Sequence, residues 1–418
     1  MDIDFLQYQF VKNQPLLTMA TQIGISHSNR TNSTTAAIEA ATNALLQAGV
    51  TKADFALIFC SGKHNPHDFL AGVKSVLGDT PVLGGSSIGV ITKDFLGYEG
   101  FEVGITVFAS DTLTFKIFAE PDLNVDERKA GEALGVQIQQ AADEQDKALL
   151  VFYDSCKQQN PPRLNFATWL FEGLETKLPV HISCAGAGLL ADMELNATTY
   201  QFYNNEVLSQ NVVAVLIGGK CNMQTTIMHG CKPASAYLTI TKAEGPVIFE
   251  IDNRPALEVI DELLGNNHTL QWKDFSFFVT LGVNRGEKFA PFDEKEYANR
   301  LLLAVDIPTK SLVMFEPDLK TGDEIQLMRR SVDLDYIHTG IADMKAKLNE
   351  AKPVFSFYID CAGRAKPYAG GEFEDAAEVQ KGIGDIPFMG FYCGVEVARV
   401  KDKLQPLDWT GVLCIISE

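Results

Sequence analysis

Residues 53–91 have the sequence ADFALIFCSGKHNPHDFLAGVKSVLGDTPVLGGSSIGVI, and this stretch decides the fold class. The apolar run Phe55 to Phe59 predicts a buried strand, and the polar pair Ser61-Gly62 predicts a turn after it. Asp68 to Leu77 has the spacing of a helix, and Thr80 to Gly89 is a second apolar run that ends in Gly and Ser. Strand, helix and strand in this order predict a βαβ unit, whose two strands are parallel.

The same order of elements returns twice downstream. In the second unit the predicted strand, helix and second strand are Ala148 to Tyr153, Leu164 to Glu175 and Leu178 to Gly188. In the third unit they are Val354 to Ile359, Glu374 to Ile383 and Ile386 to Gly394. Each second strand begins with a Pro, which is tolerated where no N–H is needed. The repeat predicts an α/β protein with repeated βαβ units in mixed sheets.

Between and beyond the units the sequence predicts further strands and a domain boundary. Apolar and polar residues alternate in Glu102 to Ala119 and in Tyr200 to Gly218, as in half-buried antiparallel strands. Arg254-Pro255-Ala256-Leu257 opens a helix that we predict to run through Leu264. We therefore predict two domains, at residues 30–250 and 251–418. No low-complexity linker separates them, which predicts that they pack closely.

The second domain is predicted to contain its own strands and a helix before the third unit. The predicted strands are Phe275 to Val283, Arg300 to Asp306 and Glu324 to Arg329, and the predicted helix is Asp335 to Leu348.

Composition narrows the class of protein. The 418 residues, 46% of them hydrophobic, provide enough material for two cores, whereas a formal net charge of -19 disfavours nucleic acids and anionic membrane surfaces as partners. No apolar run reaches about 18 residues, so we predict no membrane span. The N-terminus lacks the basic start of a secretory signal, and eight cysteines occur singly without a CxxC pair. These features predict a cytoplasmic protein with reduced thiols.

The order of several short blocks resembles the FIST family, with a FIST N-terminal and a FIST C-terminal domain. The resemblance spans most of the chain from about residue 30 onward, and its blocks are Gly84 to Gly89, His229 to Pro233, Arg254 to Leu257, Gly322-Asp323, Cys361 to Arg364 and Gly390 to Glu396. It implies a sensory protein that binds small molecules, such as amino acids, and acts with a signalling partner. The family often places an acidic residue directly after the Gly-rich turn of the second unit, where this chain has Leu189-Leu190-Ala191-Asp192.

Gly85, Ser86 and Ser87 form the first candidate ligand site. Gly-rich backbone presents N–H groups to an anion, yet no Walker Lys-Ser/Thr and no GxGxxG motif accompany it. A pocket for a neutral ligand and a tight structural turn both remain open.

Cys361, Arg364, Tyr392 and Glu396 form the second candidate site. The planar guanidinium of Arg364 suits a carboxylate, supplied either by a ligand or by Glu396 in a structural ion pair. An amino-acid ligand would place its carboxylate on Arg364 and its ammonium group on Glu396.

Haem is the third possibility, and it comes from the resemblance. A stand-alone FIST subgroup binds haem b and senses nitric oxide for a partner histidine kinase. A haem requires one axial side chain and an apolar pocket. We take His229, after a predicted strand, as the first candidate axial ligand, and His181, inside the second strand of the second unit, as the next. A structural, hydrogen-bonded role is the alternative for both.

Catalysis is the weaker interpretation. Ser86, Ser155 and Ser183 lie near predicted strand ends, but no GxSxG elbow surrounds them. We therefore expect a non-enzymatic sensor that responds either to nitric oxide through haem or, without a cofactor, to amino acids or related small metabolites.

Overall fold

The computed structural model describes residues 21–265, 279–331, 333–369 and 374–418. In the first half of the chain the strands are β1 (Gln22–Ser28), β2 (Phe55–Ser61), β3 (Val82–Ser87), β4 (Gly89–Thr92), β5 (Phe95–Gly97), β6 (Val103–Ala109), β7 (Leu113–Glu120), β8 (Ala148–Asp154), β9 (Cys156–Gln158), β10 (Arg163–Leu164), β11 (Ser183–Leu189), β12 (Gln201–Tyr203), β13 (Glu206–Leu208) and β14 (Val212–Gly219). The helices between them are α1 (Ser33–Ala48), α2 (Pro66–Leu77), α3 (Glu127–Ala141) and α4 (Ala167–Glu175).

In the second half the strands are β15 (Asn222–Met228), β16 (Cys231–Pro233), β17 (Leu238–Glu244), β18 (Val247–Ile251), β19 (Arg254–Pro255), β20 (Thr280–Asn284), β21 (Tyr297–Asp306), β22 (Ser311–Met314), β23 (Glu324–Arg330), β24 (Pro353–Cys361), β25 (Phe388–Cys393), β26 (Val395–Val400), β27 (Lys403–Leu407) and β28 (Gly411–Ser417). The helices are α5 (Ala256–Leu263), α6 (Asp335–Lys347), α7 (Lys366–Ala369) and α8 (Asp375–Ile383). Part of the predicted strand Phe275 to Val283 lies outside the described residues.

Three six-stranded sheets share one strand order. They are sheet 1 (β1-β6-β2-β3-β12-β13), sheet 2 (β7-β14-β8-β11-β26-β27) and sheet 3 (β15-β28-β24-β25-β4-β5). Each is built around the parallel pair of one βαβ unit, and the neighbours of that pair are antiparallel. The sheets are mixed, and helices follow their strands along the chain, which confirms the predicted α/β class.

The units exchange strands in a cycle. The hairpin β4-β5 leaves the first unit and pairs with β25 of sheet 3, β12-β13 leaves the second and pairs with β3 of sheet 1, and β26-β27 leaves the third and pairs with β11 of sheet 2. No unit completes its sheet alone, so the two predicted domains are packed against each other through shared sheets.

The inner faces of the sheets meet around three phenylalanines from corresponding strands. Phe59 of β2, Phe152 of β8 and Phe357 of β24 are buried in one cluster, with ring centroids 5.3 to 6.0 Å apart. Helix pairs cover the outer faces: α1 and α2 on sheet 1, α3 and α4 on sheet 2, α6 and α8 on sheet 3. Apolar side chains on both faces explain why the central strands are continuous apolar runs.

A barrel lies between β15 and the third unit. The strands β23-β17-β18-β22-β21-β20 pair in sequence, and β20 also pairs with β23, which closes the ring. Its interior is a separate cluster that includes Ile240, Leu281 and Leu312. The boundary predicted at residues 250 and 251 falls within β18 of this barrel.

The structure corrects several boundaries and adds elements that the sequence did not reveal. In the second unit the second strand begins at Ser183 rather than Leu178, and its helix begins at Ala167 rather than Leu164. Helix α1 was not predicted because its buried face consists of alanines, which pack so closely that a Cβ on Gly24 would lie 1.8 Å from the Ala44 carbonyl oxygen. Helix α3 and strand β1 were not predicted either.

Candidate functional site

A cavity of about 420 Å³ lies where the barrel meets the third unit. Its walls come from β21, from the ends of β24 and β25, from the loop after β11 and from the turn between β27 and β28. The lining residues are Leu190, Met193, Leu195, Leu301, Leu302, Leu303, Ala304, Val305, Phe315, Cys361, Ala362, Gly363, Cys393, Gly394 and Asp408. This surface is mostly apolar, and the polar side chains on it are two thiols and one carboxyl group.

The two thiols belong to the last residues of neighbouring parallel strands. Cys361 ends β24, Cys393 ends β25, and the two are register partners. Burial raises the pKa of both thiols, and the carboxyl group of Glu396 adds to this effect. Both are therefore protonated at neutral pH, and Cys393 Sγ donates a hydrogen bond to Glu396 Oε1 at 3.3 Å. High thiol pKa values disfavour a nucleophilic role.

Asp408 supplies the carboxyl group of the cavity and is only 2% exposed. Its Oδ2 accepts a hydrogen bond from the Leu301 N–H at 2.9 Å, whereas its Oδ1 makes no hydrogen bond to another described residue. Burial raises the pKa of Asp408 to about 6. At neutral pH the cavity wall therefore carries one carboxylate with an unused acceptor oxygen.

A strained turn holds Asp408 in place. Trp409, the next residue, has φ +53°, a left-handed conformation that is unfavourable for a bulky side chain. The turn is fixed by a hydrogen bond from the Asp408 N–H to the Asn299 carbonyl, at 3.2 Å, and by one from Thr410 Oγ1 to the Asp408 carbonyl, at 2.9 Å. Backbone strain of this kind persists only where the surroundings impose it, as they do in functional sites.

The nearest cation, Arg300, is already paired. Its guanidinium binds Asp318 through Nε–Oδ1 and Nη2–Oδ2 contacts of 2.7 and 2.6 Å, and its Nη1 donates to the carbonyl groups of Asn299 and Pro406. Arg300 therefore lowers the pKa of Asp408 only at a distance, and less than burial raises it. No Lys, Arg or His side chain is among the lining residues given above.

Asp192 shapes the loop that closes one side of the cavity. Its Oδ1 accepts hydrogen bonds from the N–H groups of Glu194 and Asn196, and its Oδ2 accepts one from Ala197. These bonds hold Met193 and Leu195 against the cavity. Asp192, the acidic residue that follows the Gly-rich strand of the second unit, therefore fixes the backbone conformation of this loop.

Arg364 does not face the cavity and is fully buried in an ion network. Nε lies 3.0 Å from Asp360 Oδ1 and Nη2 lies 2.8 Å from Asp375 Oδ2, while Nη1 donates to the carbonyls of Met228 and Trp409. Its carboxylate partners are therefore Asp360 and Asp375, not Glu396. Arg364 is not among the residues that line the cavity, so its charge is balanced inside the protein by these two carboxyl groups.

Glu396 and Tyr392 lie behind the cavity wall. Glu396 Oε2 accepts a hydrogen bond from the Thr410 N–H at 3.2 Å, and burial raises the pKa of Glu396 well above its usual range. The Tyr392 hydroxyl donates to Glu374 Oε1 at 2.6 Å. Of the second candidate set, the structure places only Cys361 on the cavity.

Gly85, Ser86 and Ser87 are the last residues of β3 and do not line the cavity. Ser86 exchanges two hydrogen bonds with the backbone of Tyr200, and a Cβ on Gly85 would lie 2.4 Å from Leu189 Cδ1. The glycine therefore permits close packing of sheet 1 against the second unit.

Neither histidine fits an axial haem ligand as the structure places it. His229 Nδ1 accepts a hydrogen bond from the Cys231 N–H at 2.9 Å, so its proton is on Nε2, which lies 3.1 Å from the Glu294 carbonyl oxygen and donates to it. Both ring nitrogens of this buried side chain are engaged. His181 is exposed in a turn before β11, not inside the strand as predicted, and neither residue lines the cavity.

Within the described ranges, no group of three or more His, Cys, Asp and Glu side chains is arranged to hold a metal ion.

The residues that sequence reasoning missed are Asp408, Cys393 and the lining stretch of β21. Cys393 lies within the block Gly390 to Glu396, so its place at the end of a second strand was a signal. The sequence contains no signal for Asp408, because its carboxyl group is held by the N–H of Leu301, which is 107 positions away in the chain.

Comparisons with known proteins identify two domains. The FIST N domain model matches residues 54–254, and the FIST C domain model matches residues 256–399. An uncharacterized protein of Mycobacterium tuberculosis is 25% identical over 234 residues, which cover 55% of this chain and 60% of that protein. One of Methanocaldococcus jannaschii is 24% identical over 168 residues, covering 40% of this chain and 32% of that protein. The match thus spans about 60% of the length of the mycobacterial relatives.

Solved structures show only remote likeness. A chorismatase has a TM-score of 0.39 at 7% identity, covering 97% of this chain and 100% of that chain. A cyanuric acid hydrolase from A. caulinodans has a TM-score of 0.27 at 13% identity, covering 48% of this chain and 71% of that chain. Scores this low transfer neither fold nor activity. Among the described residues, no helix is long and apolar enough to cross a membrane.

Proposed function

The chain belongs to the FIST family, whose domains are associated with small-ligand sensing, and from this premise we propose that it senses a small molecule bound in the cavity between the barrel and the third unit. The observation that carries this proposal is the cavity itself, about 420 Å³ in volume, with an apolar lining and few polar groups. Ligand pockets have this character, at roughly 300 to 1,000 Å³.

The position of the cavity supports a sensory role. Leu190, Met193 and Leu195 belong to the part matched by the FIST N domain, whereas β21 and the ends of β24 and β25 belong to the part matched by the FIST C domain. A ligand that touches all of these walls favours the arrangement in which they are close together. A separate signalling protein, such as a histidine kinase, would respond to that change in population.

A cofactor-free sensor is the version that the geometry favours. A haem-dependent nitric oxide sensor would need an axial ligand, and the nitrogens of His229 are occupied by internal hydrogen bonds. An amino acid would need a cation for its carboxylate, and Arg364 is committed to Asp360 and Asp375. We therefore place the ligand among other small metabolites.

A substitution that fills the cavity tests this proposal. Ala304 lines the cavity from an exposed position on β21, so Ala304→Trp adds an indole there without disturbing the core. We expect the variant to lose the thermal stabilisation that binding compounds from a small-metabolite library give the unchanged chain. Ala236→Trp, on an exposed loop of the same barrel, is the control and should keep it. Equal stabilisation of both variants would place the ligand elsewhere.

A further inference from the structure

The cavity has a carboxyl group that forms no ion pair with any described residue, and the cation that acts on it, Arg300, is bound to Asp318 instead. Asp408 is buried, lines the cavity and has an oxygen, Oδ1, without a hydrogen-bond partner among the described residues. A buried carboxylate is normally paired, because moving an unpaired charge out of water is unfavourable. A buried carboxyl group that lines an apolar cavity and keeps a free acceptor oxygen is suited to bind a cationic group of a ligand.

The surroundings exclude an internal partner. The charged or titratable groups that interact with Asp408 are Arg300 on β21, Glu316 and Asp318 after β22, Glu396 on β26 and Tyr153 on β8. Arg300 is held by Asp318 through two hydrogen bonds, and Asp318 also lies 3.5 Å from Arg285 Nη2. The remaining groups are acids. No cation of the described residues contacts the Asp408 carboxyl group, so this oxygen can accept a hydrogen bond from a cationic ligand.

We propose that the ligand is an organic amine, a small molecule with an apolar body and one ammonium group that pairs with the Asp408 carboxylate. This inference rests on the proposed function, since it assigns the chemical class of the ligand for the same cavity. The apolar walls of β21 and the 190–195 loop would hold the body, and Oδ1 would accept the ammonium hydrogen bond. A zwitterion or an anion would bring a carboxylate into a cavity without a cation.

Four probes of similar shape isolate the contribution of charge. They are 2-phenylethylamine, its neutral analogue 2-phenylethanol, the anion phenylacetate and the zwitterion phenylalanine, each titrated into the full chain by calorimetry. A charge-assisted hydrogen bond strengthens binding by roughly tenfold or more, so we expect the amine to bind at least about tenfold more tightly than the alcohol. Phenylacetate and phenylalanine should bind more weakly than the alcohol.

Asp408→Asn provides the matched variant. Asparagine keeps an acceptor for the Leu301 N–H but loses the charge, so the amine should weaken about tenfold while the alcohol changes less than about twofold. Alcohol binding shows that the variant is folded. Asp154→Asn, an equally buried carboxyl group that does not line the cavity, should leave the amine preference intact.

A pH series adds a readout that packing alone would not change. Burial raises the pKa of Asp408 to about 6, so the carboxylate is protonated progressively as the pH falls below that value. A primary amine stays protonated throughout this range. Affinity for the amine should fall about tenfold between pH 7.5 and pH 5, and affinity for the alcohol should not.

The outcomes separate this inference from the proposed function. An alcohol that binds as tightly as the amine, or an amine unaffected by Asp408→Asn, overturns the amine assignment. If Ala304→Trp nevertheless abolishes binding of the alcohol, the cavity remains the ligand site. If Ala304→Trp leaves all probe binding unchanged, the proposed site itself is wrong.

Discussion

Two buried charged groups meet at the turn Asp408-Trp409-Thr410, and they differ in whether their charge is balanced. Arg364, which donates a hydrogen bond to the Trp409 carbonyl, is surrounded by Asp360, Asp375 and carbonyl acceptors. The carboxyl group of Asp408 lines the cavity and accepts one hydrogen bond, from the Leu301 N–H, while its other oxygen has no hydrogen-bond partner among the described residues. We infer that the ion-paired Arg364 helps hold the fold together, and that the Asp408 carboxyl group, which has no ion-pair partner, is the group that would bind a ligand.

The largest change in stability should follow from a substitution that breaks the ion network of Arg364. Arg364→Met removes the guanidinium and leaves Asp360 and Asp375 buried without it, which should lower the free energy of unfolding by about 3 to 5 kcal/mol. Urea unfolding followed by fluorescence measures this. Arg254→Met, which breaks an exposed pair with Glu262, is the control and should change little. A small loss for Arg364→Met would mean that the network is not structural.

Removing the charge of Asp408 should raise the free energy of unfolding, whereas removing the charge of Arg364 should lower it. The pKa of Asp408 is about 6 in the folded chain and near 3.8 in the unfolded chain, so the folded state binds the proton more tightly. The free energy of unfolding therefore falls as the pH rises from about 4 to 6 and stays lower above that. Asp408→Asn removes this penalty and should stabilise the chain by about 1 to 3 kcal/mol at pH 7.5.

The pH dependence decides whether this stabilisation has the proposed cause. Near pH 3 the Asp408 carboxyl group is largely protonated in both the folded and the unfolded chain, so Asp408→Asn and the unchanged chain should have nearly equal unfolding free energies. Destabilisation of the variant at pH 7.5 would show that the Asp408 carboxylate is balanced by a group within the protein.

The smallest effect concerns the loop that closes the cavity. Asp192→Ala removes the acceptor for the Glu194, Asn196 and Ala197 N–H groups, so these amides should exchange hydrogen faster. Because the loop is near the surface, we expect a loss of global stability of no more than about 1 kcal/mol. Ligand affinity should weaken, since Met193 and Leu195 would no longer be held on the cavity. Unchanged exchange would show that other contacts hold the loop.

Local pattern predicted much of the fold but little of the site. Apolar runs and Pro-led second strands located all three βαβ units, because these features follow from the period of each element and from burial. The exchange of hairpins among the sheets was not predictable, since it joins residues far apart in sequence, such as Tyr392 and Gly89. Arg364 was singled out from the sequence because its guanidinium can bind a carboxylate. Only the structure shows that its carboxylate partners are Asp360 and Asp375.

Asp408 escaped prediction for the same reason. A short Asp-Trp-Thr turn between two strands has no distinctive motif, and the positive φ of Trp409 is invisible in the sequence. The haem ligation and the cytoplasmic location inferred from the sequence stay predictions.

The most direct test of the cavity as the ligand site is a crystal structure of the full chain with 2-(4-bromophenyl)ethylamine, located by the anomalous signal of bromine. We predict a bromine peak between Leu301 to Val305 and the loop at residues 190–195, with the amine nitrogen about 3 Å from Asp408 Oδ1. A peak beside Gly85 to Ser87, or elsewhere outside the cavity, would contradict the assignment.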